Sequence, residues 1–240
     1  MKKITVAILL IALLAGFARA EGAPSKPVGY PYMGFDKPGG VTSVVGYAAR
    51  GFFLLALITP LMALPKDQGD GLSLTFGLKD LDNNKDWGSA GSQEAMIFHG
   101  NVTPEGWPFA LSIDYLQSSH ESEKHSGSTE EVGLGIRKKV FETEHFSGFA
   151  GGGPALFGAV EEIEDRETLE DSKDRDRDAL GFWLDAGLRL IFRTHFSDER
   201  PNLPITLGAD VRYSKAKVRL FGEKKDAGGL TAGFSIGSGW

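Results

Sequence analysis

The stretch Pro204-Ile-Thr-Leu-Gly-Ala-Asp-Val-Arg-Tyr-Ser214 decides how this sequence is interpreted. Its odd positions carry Ile, Leu, Ala, Val and Tyr, whereas its even positions from Thr206 onward carry Thr, Gly, Asp, Arg and Ser. Successive side chains of a β-strand point to opposite faces, so the stretch predicts a strand with one apolar and one polar face. A helix would mix the two sets on every face.

Other segments alternate in the same way. In Leu180–Arg193 the even positions are apolar, and the other set includes Trp183, Asp185, Gly187 and Arg189. Phe109–Tyr115 alternates Phe, Leu, Ile and Tyr with Ala, Ser and Asp. Five weaker strands are expected at Leu72–Lys79, Glu94–Val102, Val132–Val140, Phe146–Ala159 and Gly229–Ile236. The sequence therefore predicts about eight short strands between Gly71 and Trp240.

The links between these strands alternate in length. The long ones are charged or Gly-rich and contain Asp82–Ala90, Gln117–Thr129, Val160–Asp178 and Leu220–Gly228. The short ones are Pro104–Trp107 and Glu142–His145, and Thr194–Leu203 is an exception that is longer than a short turn should be. Outer-membrane barrels have long extracellular loops and short periplasmic turns, so the pattern favours such a barrel with both of its ends in the periplasm.

Composition and targeting signals narrow the class of protein. Residues 1–20 are typical of a secretory signal, with Lys2 and Lys3, the apolar run Val6–Leu14 and a small-residue cleavage site that ends at Ala20. The net charge of -6 argues against a nucleic-acid partner. The chain has no cysteine, which excludes disulfides and thiol catalysis. Its 32 glycines suit a narrow barrel with little room in the lumen.

Residues 21–70 form a separate region. Glu21–Gly40 is rich in Pro and Gly and is expected to be an extended or disordered leader. Val41–Leu64 is uncharged apart from Arg50 and contains the apolar run Gly51–Leu64, which Pro60 would kink or end if it were helical. Three interpretations stay open: an interfacial or barrel-packed helix, a membrane-spanning helix, and a further strand or a later start at Met33 with a second signal-like run.

The orientation of the apolar face decides between two classes of barrel. If that face points outward, the lumen receives the charged residues Lys79, Asp114, Arg137, Asp185, Arg189, Asp210 and Arg212. A soluble lipocalin-like carrier would have the opposite arrangement, with an apolar cavity and a polar exterior. Alternation alone does not distinguish the two, but the link lengths and the aromatic residues near strand ends favour the membrane barrel.

The last strand and a central strand carry a resemblance to a known group. Leu230, Ala232, Phe234, Ile236 and Trp240 share one parity and end on an aromatic residue, and Ser147–Gly158 is a Gly-rich stretch. Phe234, Ile236 and Trp240 resemble the C-terminal assembly signal of bacterial outer-membrane barrels, in which the last residue is most often Phe. Gly71–Trp240 as a whole is similar to the small eight-stranded barrels of the OmpA/OmpX/OmpW group.

This resemblance implies an all-β fold, an antiparallel up-and-down transmembrane β-barrel in the outer membrane. It also implies contact with outer-membrane lipid and lipopolysaccharide, and with the barrel-assembly machinery during biogenesis. Such barrels serve as anchors, adhesins, weak pores or receptors, so the resemblance implies location more firmly than activity.

The charged lumen set has two interpretations, a pore lining and a closed ion-pair network. An eight-stranded barrel is just wide enough for its own side chains to fill, and buried charges require partners. Three aspartates stand against three arginines and Lys79, so the charges are nearly balanced. We therefore expect a closed network rather than conduction.

Catalytic motifs are incomplete. Lipid A deacylases among outer-membrane barrels carry a His-x-Ser-Asn signature, but here His99 is followed by Gly100 and Asn101. His145 and His195 are each followed two residues later by Ser, but neither Ser precedes Asn. We expect His99 to be a satisfied polar residue of the lumen or of the lipid interface, and we expect no catalytic residue and no cofactor.

Two links carry weak metal-binding patterns. Gln117–Thr129 contains His120, Glu121, Glu123 and His125, but a Ser-rich loop gives these ligands no fixed geometry. Val160–Asp178 contains ten acidic and four basic residues, and Asp174, Asp176 and Asp178 have the spacing of the start of a calcium loop without its glycine. We expect a hydrophilic external loop, with cation-bridged contact to lipopolysaccharide phosphates as the functional alternative.

The sequence thus predicts a monomeric, non-enzymatic outer-membrane barrel with a structural or surface-exposed interaction role. Three alternatives are a narrow small-solute pore, an envelope lipid-modifying enzyme and a soluble secreted lipocalin-like carrier. Its predicted regions are a signal peptide at 1–20, a leader at 21–70 with the apolar segment 41–64, and a barrel at 71–240.

Overall fold

The computed structural model describes residues 71–83, 87, 92–121, 125–165, 170–194 and 203–238. These residues form nine β-strands: β1 (Gly71–Leu81), β2 (Gln93–Val102), β3 (Ala110–Glu121), β4 (His125–Glu142), β5 (Phe146–Asp165), β6 (Glu170–Thr194), β7 (Leu203–Leu220), β8 (Glu223–Asp226) and β9 (Gly229–Ser238). No helix among the described residues is long and apolar enough to cross a membrane. The predicted regions before Gly71, and Trp240, lie outside the described residues.

Eight of the strands close into a ring. Each strand from β1 to β7 pairs antiparallel with the next one along the chain, β7 pairs with β9, and β9 pairs with β1. The short β8 lies outside the ring and pairs with the end of β7. A closed ring leaves no unpaired sheet edge, which is how a sheet satisfies its backbone in lipid. The structure confirms the predicted eight-stranded up-and-down barrel.

The apolar set of side chains points outward. On β6 and β7 the side chains of Leu184, Leu188, Leu207 and Val211 are exposed, whereas those of Asp185, Arg189, Asp210 and Arg212 are buried in the lumen. Among the large apolar residues that the structure describes, Phe234 on β9 is the most exposed, at 80%. A soluble carrier needs the opposite arrangement. The fold is therefore that of a barrel whose apolar wall faces lipid.

The two ends of the barrel differ. One end carries the connections 82–92, 122–124, 166–169 and 221–228, and we call it the hairpin end. The opposite end carries the turns 103–109 and 143–145, the connection 195–202 and the start of β1, and we call it the turn end. Strands β4 to β7 are 18, 20, 25 and 18 residues long, whereas about 9–11 residues cross a membrane as a tilted strand. They extend past the apolar wall at the hairpin end.

Two predicted links were wrong because the strands continue through them. Gln117–Thr129 is occupied by β3 up to Glu121 and by β4 from His125, and Val160–Asp178 is occupied by β5 up to Asp165 and by β6 from Glu170. Cross-strand charge pairs hold the second hairpin together, as between Lys173 and Glu162 at 2.9 Å. Charged residues stand on both faces of this hairpin, so no apolar alternation reveals its strands.

The predicted link Leu220–Gly228 also contains structure. The chain turns back at Phe221 and Gly222, both with positive φ (51° and 80°), as a two-residue type I′ hairpin requires. This turn brings β8 back along the end of β7 and places Lys225 and Ala227 at the mouth of the lumen. The hairpin end is thus partly covered by its own chain.

The closed lumen as the candidate functional site

Asp114 on β3 is the centre of the lumen network. Its Oδ2 accepts hydrogen bonds from Arg137 Nη2 at 2.8 Å and from Arg212 Nη1 at 2.9 Å, and its Oδ1 lies 3.0 Å from His99 Nδ1. All four side chains are almost fully buried. Strands β2, β3, β4 and β7 each supply one of these residues, so the contacts tie together walls that are far apart in sequence.

Arg137 and Arg212 also donate hydrogen bonds to other acceptors in the lumen. Arg137 donates from Nε to Asp185 Oδ2 at 2.9 Å and from Nη1 to Asn101 Oδ1 at 3.0 Å. Arg212 donates from Nε to Glu131 Oε1 at 3.0 Å, and its Nη2 also contacts that oxygen. Charge-assisted contacts of this kind, made by the rigid fork of a guanidinium, fix the positions of both partners.

A second ion pair lies beside the first group. Arg189 contacts both oxygens of Asp210, with Nη2 donating to Oδ2 at 3.1 Å. The Thr75 hydroxyl donates to Asp210 Oδ2 at 2.6 Å and lies 3.1 Å from His99 Nε2. His99 thus joins the two groups, since its other ring nitrogen faces Asp114.

Aromatic rings fill the space between the guanidinium groups. The Trp183 ring lies against both Arg212 and Arg137, with the guanidinium carbons 4.3 Å and 5.1 Å from its centroid. The Phe149 ring lies against both Arg189 and Arg137, at 4.7 Å and 5.6 Å. Arginine planes stack well on aromatic faces. The result is a continuous series of ring–guanidinium contacts from Arg189 through Phe149, Arg137 and Trp183 to Arg212, which we call the stack.

A glycine makes room for this stack. A Cβ added to Gly133 on β4 would lie 2.6 Å from Trp183 Nε1 and 2.8 Å from Arg212 Nη2. The indole of Trp183 and the guanidinium of Arg212 therefore occupy the space that a side chain at position 133 would need. Packing in a narrow barrel thus requires glycine at this position.

Lys79 lies nearer the hairpin end and bonds to neutral groups. Its Nζ donates to Thr129 Oγ1 at 3.0 Å and to the carbonyl of Ala227 at 2.8 Å. The prediction placed it among the ion pairs, but the structure links it to the mouth of the barrel by hydrogen bonds. Glu131, which the prediction did not include, joins Asp114, Asp185 and Asp210, so four carboxylates of the lumen network face Lys79 and three arginines.

An apolar cluster closes the lumen above this network. Trp87 is fully buried, with Nε1 donating to the carbonyl of Asp226 at 2.8 Å. Lys225 lies over the same ring at 5.8 Å and contacts Glu161. The other large members of the cluster are Leu81, Phe157, Trp183, Val218 and Leu220. The lumen is thus filled from the ion pairs to the hairpin end.

Thr75, His99 and Asp114 stand in the order of a hydroxyl, an imidazole and a carboxylate, as in a catalytic triad. The spacing of 3.1 Å and 3.0 Å would allow that chemistry. However, the Thr75 hydroxyl donates to Asp210, and all three side chains are at most 3% exposed. A hydroxyl that donates to a carboxylate and meets no solvent cannot attack a substrate, so the arrangement is structural.

A cation site is also conceivable at His99, Asp114 and Asp185, whose candidate ligand atoms lie within 4.8 Å of one another. Arg137 already contacts all three residues, with His99 Nδ1 3.0 Å from Nη2. A guanidinium therefore supplies the positive charge that a metal would bring. The donor set does not fit an ion unless Arg137 leaves.

The acidic hairpin shows no cation geometry at the predicted aspartates. Asp174 and Asp176 each accept a hydrogen bond from the backbone N–H of the next residue, at 2.8 Å. Their other oxygens accept from the backbone N–H groups of Phe221 and Arg219. Asp178 has a positive φ of 58° near the register shift of β5 against β6. These two carboxylates thus hold β6 to the β7–β8 turn.

The structure places the remaining predicted residues as follows. All seven predicted lumen residues are buried inside the barrel. Phe234 and Ile236 point outward from β9, and Trp240 lies outside the described residues. His145 is exposed in the turn between β4 and β5.

The predicted lumen set did not include Glu131, Phe149, Trp183 or Thr75, although Trp183 was assigned to the same face as Asp185 and Arg189. Glu131 has the same parity as Arg137 and becomes visible once β4 is extended beyond its predicted start at Val132. Trp183 and Phe149 share the inward parity of Asp185 and of the small residues of β5, which was the available signal. An aromatic residue on the polar face indicates a ring stacked on buried cations.

A closed eight-stranded ring with an apolar outer wall and a charged, filled lumen defines a transmembrane β-barrel. Solved structures with similar folds include Neisserial surface protein A (11% identity, TM-score 0.48, 72% of this chain and 96% of that chain) and the N-terminal β-barrel domain of Pseudomonas aeruginosa OprF (11% identity, TM-score 0.38, 71% and 98%). At these values the likeness carries no argument about function. No protein-family model and no curated protein matches the chain.

Proposed function

We propose that this protein is a non-conducting, non-enzymatic outer-membrane barrel that anchors an acidic β-hairpin, β5–β6, at the cell surface. The observation that carries the proposal is the filled lumen together with the overlong strands at the hairpin end. A barrel built for transport needs an open path, whereas a barrel built for anchoring and display needs a rigid wall and exposed hairpins.

The closed lumen argues against the alternative of a small-solute pore. The stack from Arg189 to Arg212 crosses the interior, and each of its cations lies against a ring and a carboxylate. The apolar cluster around Trp87 then lies between this stack and the hairpin end. A solute would have to break buried ion pairs at a cost of several kcal/mol to pass.

The envelope lipid-modifying enzyme is disfavoured by the burial of its best candidate residues. Thr75, His99 and Asp114 lie inside the wall rather than at its lipid-facing surface, where a lipid substrate would bind. His145 is exposed at the turn end, opposite the hairpins. Neither group offers a base beside an accessible nucleophile.

The outer-membrane location is supported by the charge and shape of the two ends. At the turn end the strands are joined by connections such as 103–109 and 143–145, whereas at the hairpin end β4 to β7 run on past the apolar wall, as strands of extracellular hairpins do. We assign the hairpin end to the cell exterior, where the acidic β5–β6 hairpin faces the lipopolysaccharide layer. Divalent cations would bridge its carboxylates to the lipid phosphates. During biogenesis, Phe234, Ile236 and Trp240 are the residues we assign to recognition by the barrel-assembly machinery.

Planar-bilayer recording tests the closed-lumen part of this proposal. Purified full-length protein, reconstituted beside an open porin as the positive control, should give no discrete conductance steps, because the lumen is filled. Steps that scale with protein concentration would show an open path and would favour the small-solute pore. Unchanged lipid A masses in cells with and without the protein are the expected result for a barrel without enzymatic activity.

A further inference from the structure

One stripe of the outer wall is buried, although the wall around it is open. On β4 the outward side chains of Glu130 and Val132 are 0% and 8% exposed, whereas those of Leu134 and Ile136, further along the same face, are 53% and 49% exposed. On β1, Leu74 is 4% exposed beside Phe76 at 54%. Parity does not explain this contrast, because all of these positions face outward. Phe98, Tyr115 and Val132 pack on one another, but neighbours in the plane of a sheet leave its outer face open, so residues at 0–8% exposure indicate a cover.

Residues of low exposure run across five strands, and all of them are buried except Phe98, which is half-buried. Leu74 on β1 is opposite Phe98 on β2, which is opposite Tyr115 on β3, which is opposite Val132 on β4. The stripe then rises toward the hairpin end through Glu130 to Val160 on β5, which is 4% exposed. We call these six residues the covered stripe.

The covered stripe contains a carboxylate that lipid could not accommodate. Glu130 accepts a hydrogen bond from the Tyr115 hydroxyl at 2.8 Å. A buried carboxylate on a lipid-facing wall is costly unless a cation or several donors compensate for it. Whatever lies over the stripe is therefore apolar along Leu74, Phe98 and Val132, and positively charged or rich in donors at Glu130.

One segment of this chain has that pattern and the right length. Gly51–Leu64 is the longest apolar run after the signal-like region at residues 1–20, and Arg50, just before it, is the single charge between Val41 and Leu64. Leu74 on β1 and Glu130 on β4 are three strand intervals apart, roughly 14 Å, and Glu130 lies two residues nearer the hairpin end; a helix of this run, about 21 Å long, covers that distance. The six residues 65–70 reach up to about 20 Å, so Leu64 can lie near Leu74 at the start of β1.

We propose that Gly51–Leu64 packs along the covered stripe, with Leu64 toward Leu74 on β1 and Arg50 beside Glu130 on β4. The apolar run replaces lipid over Phe98, Tyr115 and Val132, and the guanidinium compensates the buried carboxylate at the far end. The segment then packs against the outer wall of the barrel and does not span a membrane. This proposal does not depend on whether the lumen conducts.

Disulfide cross-linking in the full-length chain tests the contact, since the protein has no cysteine of its own. Single cysteines at Leu54, Leu55, Ala56 and Leu57 cover all faces of one helical turn. Each is paired with Val132→Cys, and the matched control is Val211→Cys, which is exposed on β7 at the opposite wall. Faster migration of unboiled samples on detergent gels verifies that each variant is folded.

At least one of the four positions should cross-link within the chain to Val132→Cys, and none should cross-link to Val211→Cys. Arg50→Glu should reduce the yield, and adding Glu130→Arg should restore it. Equal yields with both partners, or none with Val132→Cys in a folded barrel, would overturn the proposal. So would cross-links only between two chains, which would identify a second copy as the cover.

Discussion

At the scale of single residues, the lumen depends on matched charges rather than on any one contact. Asp114 forms ion pairs with both Arg137 and Arg212, and Glu131 forms a further ion pair with Arg212. A buried ion pair is not in itself evidence of high stability, but removing one partner leaves the other charge buried and uncompensated. The network therefore specifies one arrangement of the wall.

The first prediction concerns the cost of leaving a buried charge without its partner. Arg212→Ala and Asp210→Ala should each lower the free energy of unfolding by about 3–5 kcal/mol, because each leaves buried partners without compensation. Lys215→Ala is the control on the same strand, since the Lys215 Nζ lies 3.8 Å from Asp82 at an exposed site, and it should change stability by less than about 1 kcal/mol. Urea unfolding in detergent micelles, followed by tryptophan fluorescence, measures all three. If Arg212→Ala and Asp210→Ala unfolded at the same urea concentration as Lys215→Ala, the lumen charges would not stabilise the barrel as proposed.

A second prediction concerns the space that Gly133 leaves. Gly133→Ala should destabilise the barrel by about 1–3 kcal/mol, because the added methyl group would meet Trp183 and Arg212. Gly100→Ala on the outer wall is the matched control and should cost less, since its added Cβ would come no nearer to another residue than 3.2 Å, at Ile113 Cγ2. The same unfolding assay compares the two variants. If Gly133→Ala were as stable as the wild type, the indole and guanidinium would not be tightly packed there.

At the scale of elements, alternation predicted the strands inside the apolar wall and failed beyond it. Pro204–Ser214 and Leu180–Arg193 lie within β7 and β6, because one face meets lipid and the other meets the lumen. The extensions of β3 to β6 past the wall carry polar or charged residues on both faces, so no period of two marks them in the sequence. Cross-strand pairing and charge pairs such as Lys173 with Glu162 stabilise them instead.

The third prediction tests which end of the barrel faces outward. A membrane-impermeant maleimide added to intact cells should label Ser172→Cys in the β5–β6 hairpin, because that residue is exposed at the hairpin end. It should label Glu105→Cys, exposed in the turn between β2 and β3, only after the cells are opened. Labelling of Glu105→Cys on intact cells, with Ser172→Cys spared, would mean that the barrel is inserted the other way round.

At the scale of the whole molecule, the order of the ring and the orientation of the apolar face were predictable, and the closure of the lumen was predictable only in part. Seven charged positions could be assigned to the interior by parity. Which carboxylate pairs with which arginine depends on strand register and on the shear of the ring, which alternation does not encode. Trp87 and β8 reach the lumen from links that have no periodicity, so their role as a cover could not be predicted.

The central claim, a transmembrane barrel of the outer membrane, is tested most directly by fractionation combined with a gel-shift measurement. Full-length protein should sediment with the outer membrane and need detergent for extraction. It should migrate faster on a detergent gel before boiling than after, because a closed barrel keeps all its backbone hydrogen bonds until heated. Recovery in the inner-membrane or soluble fraction, or identical migration before and after boiling, would contradict the account.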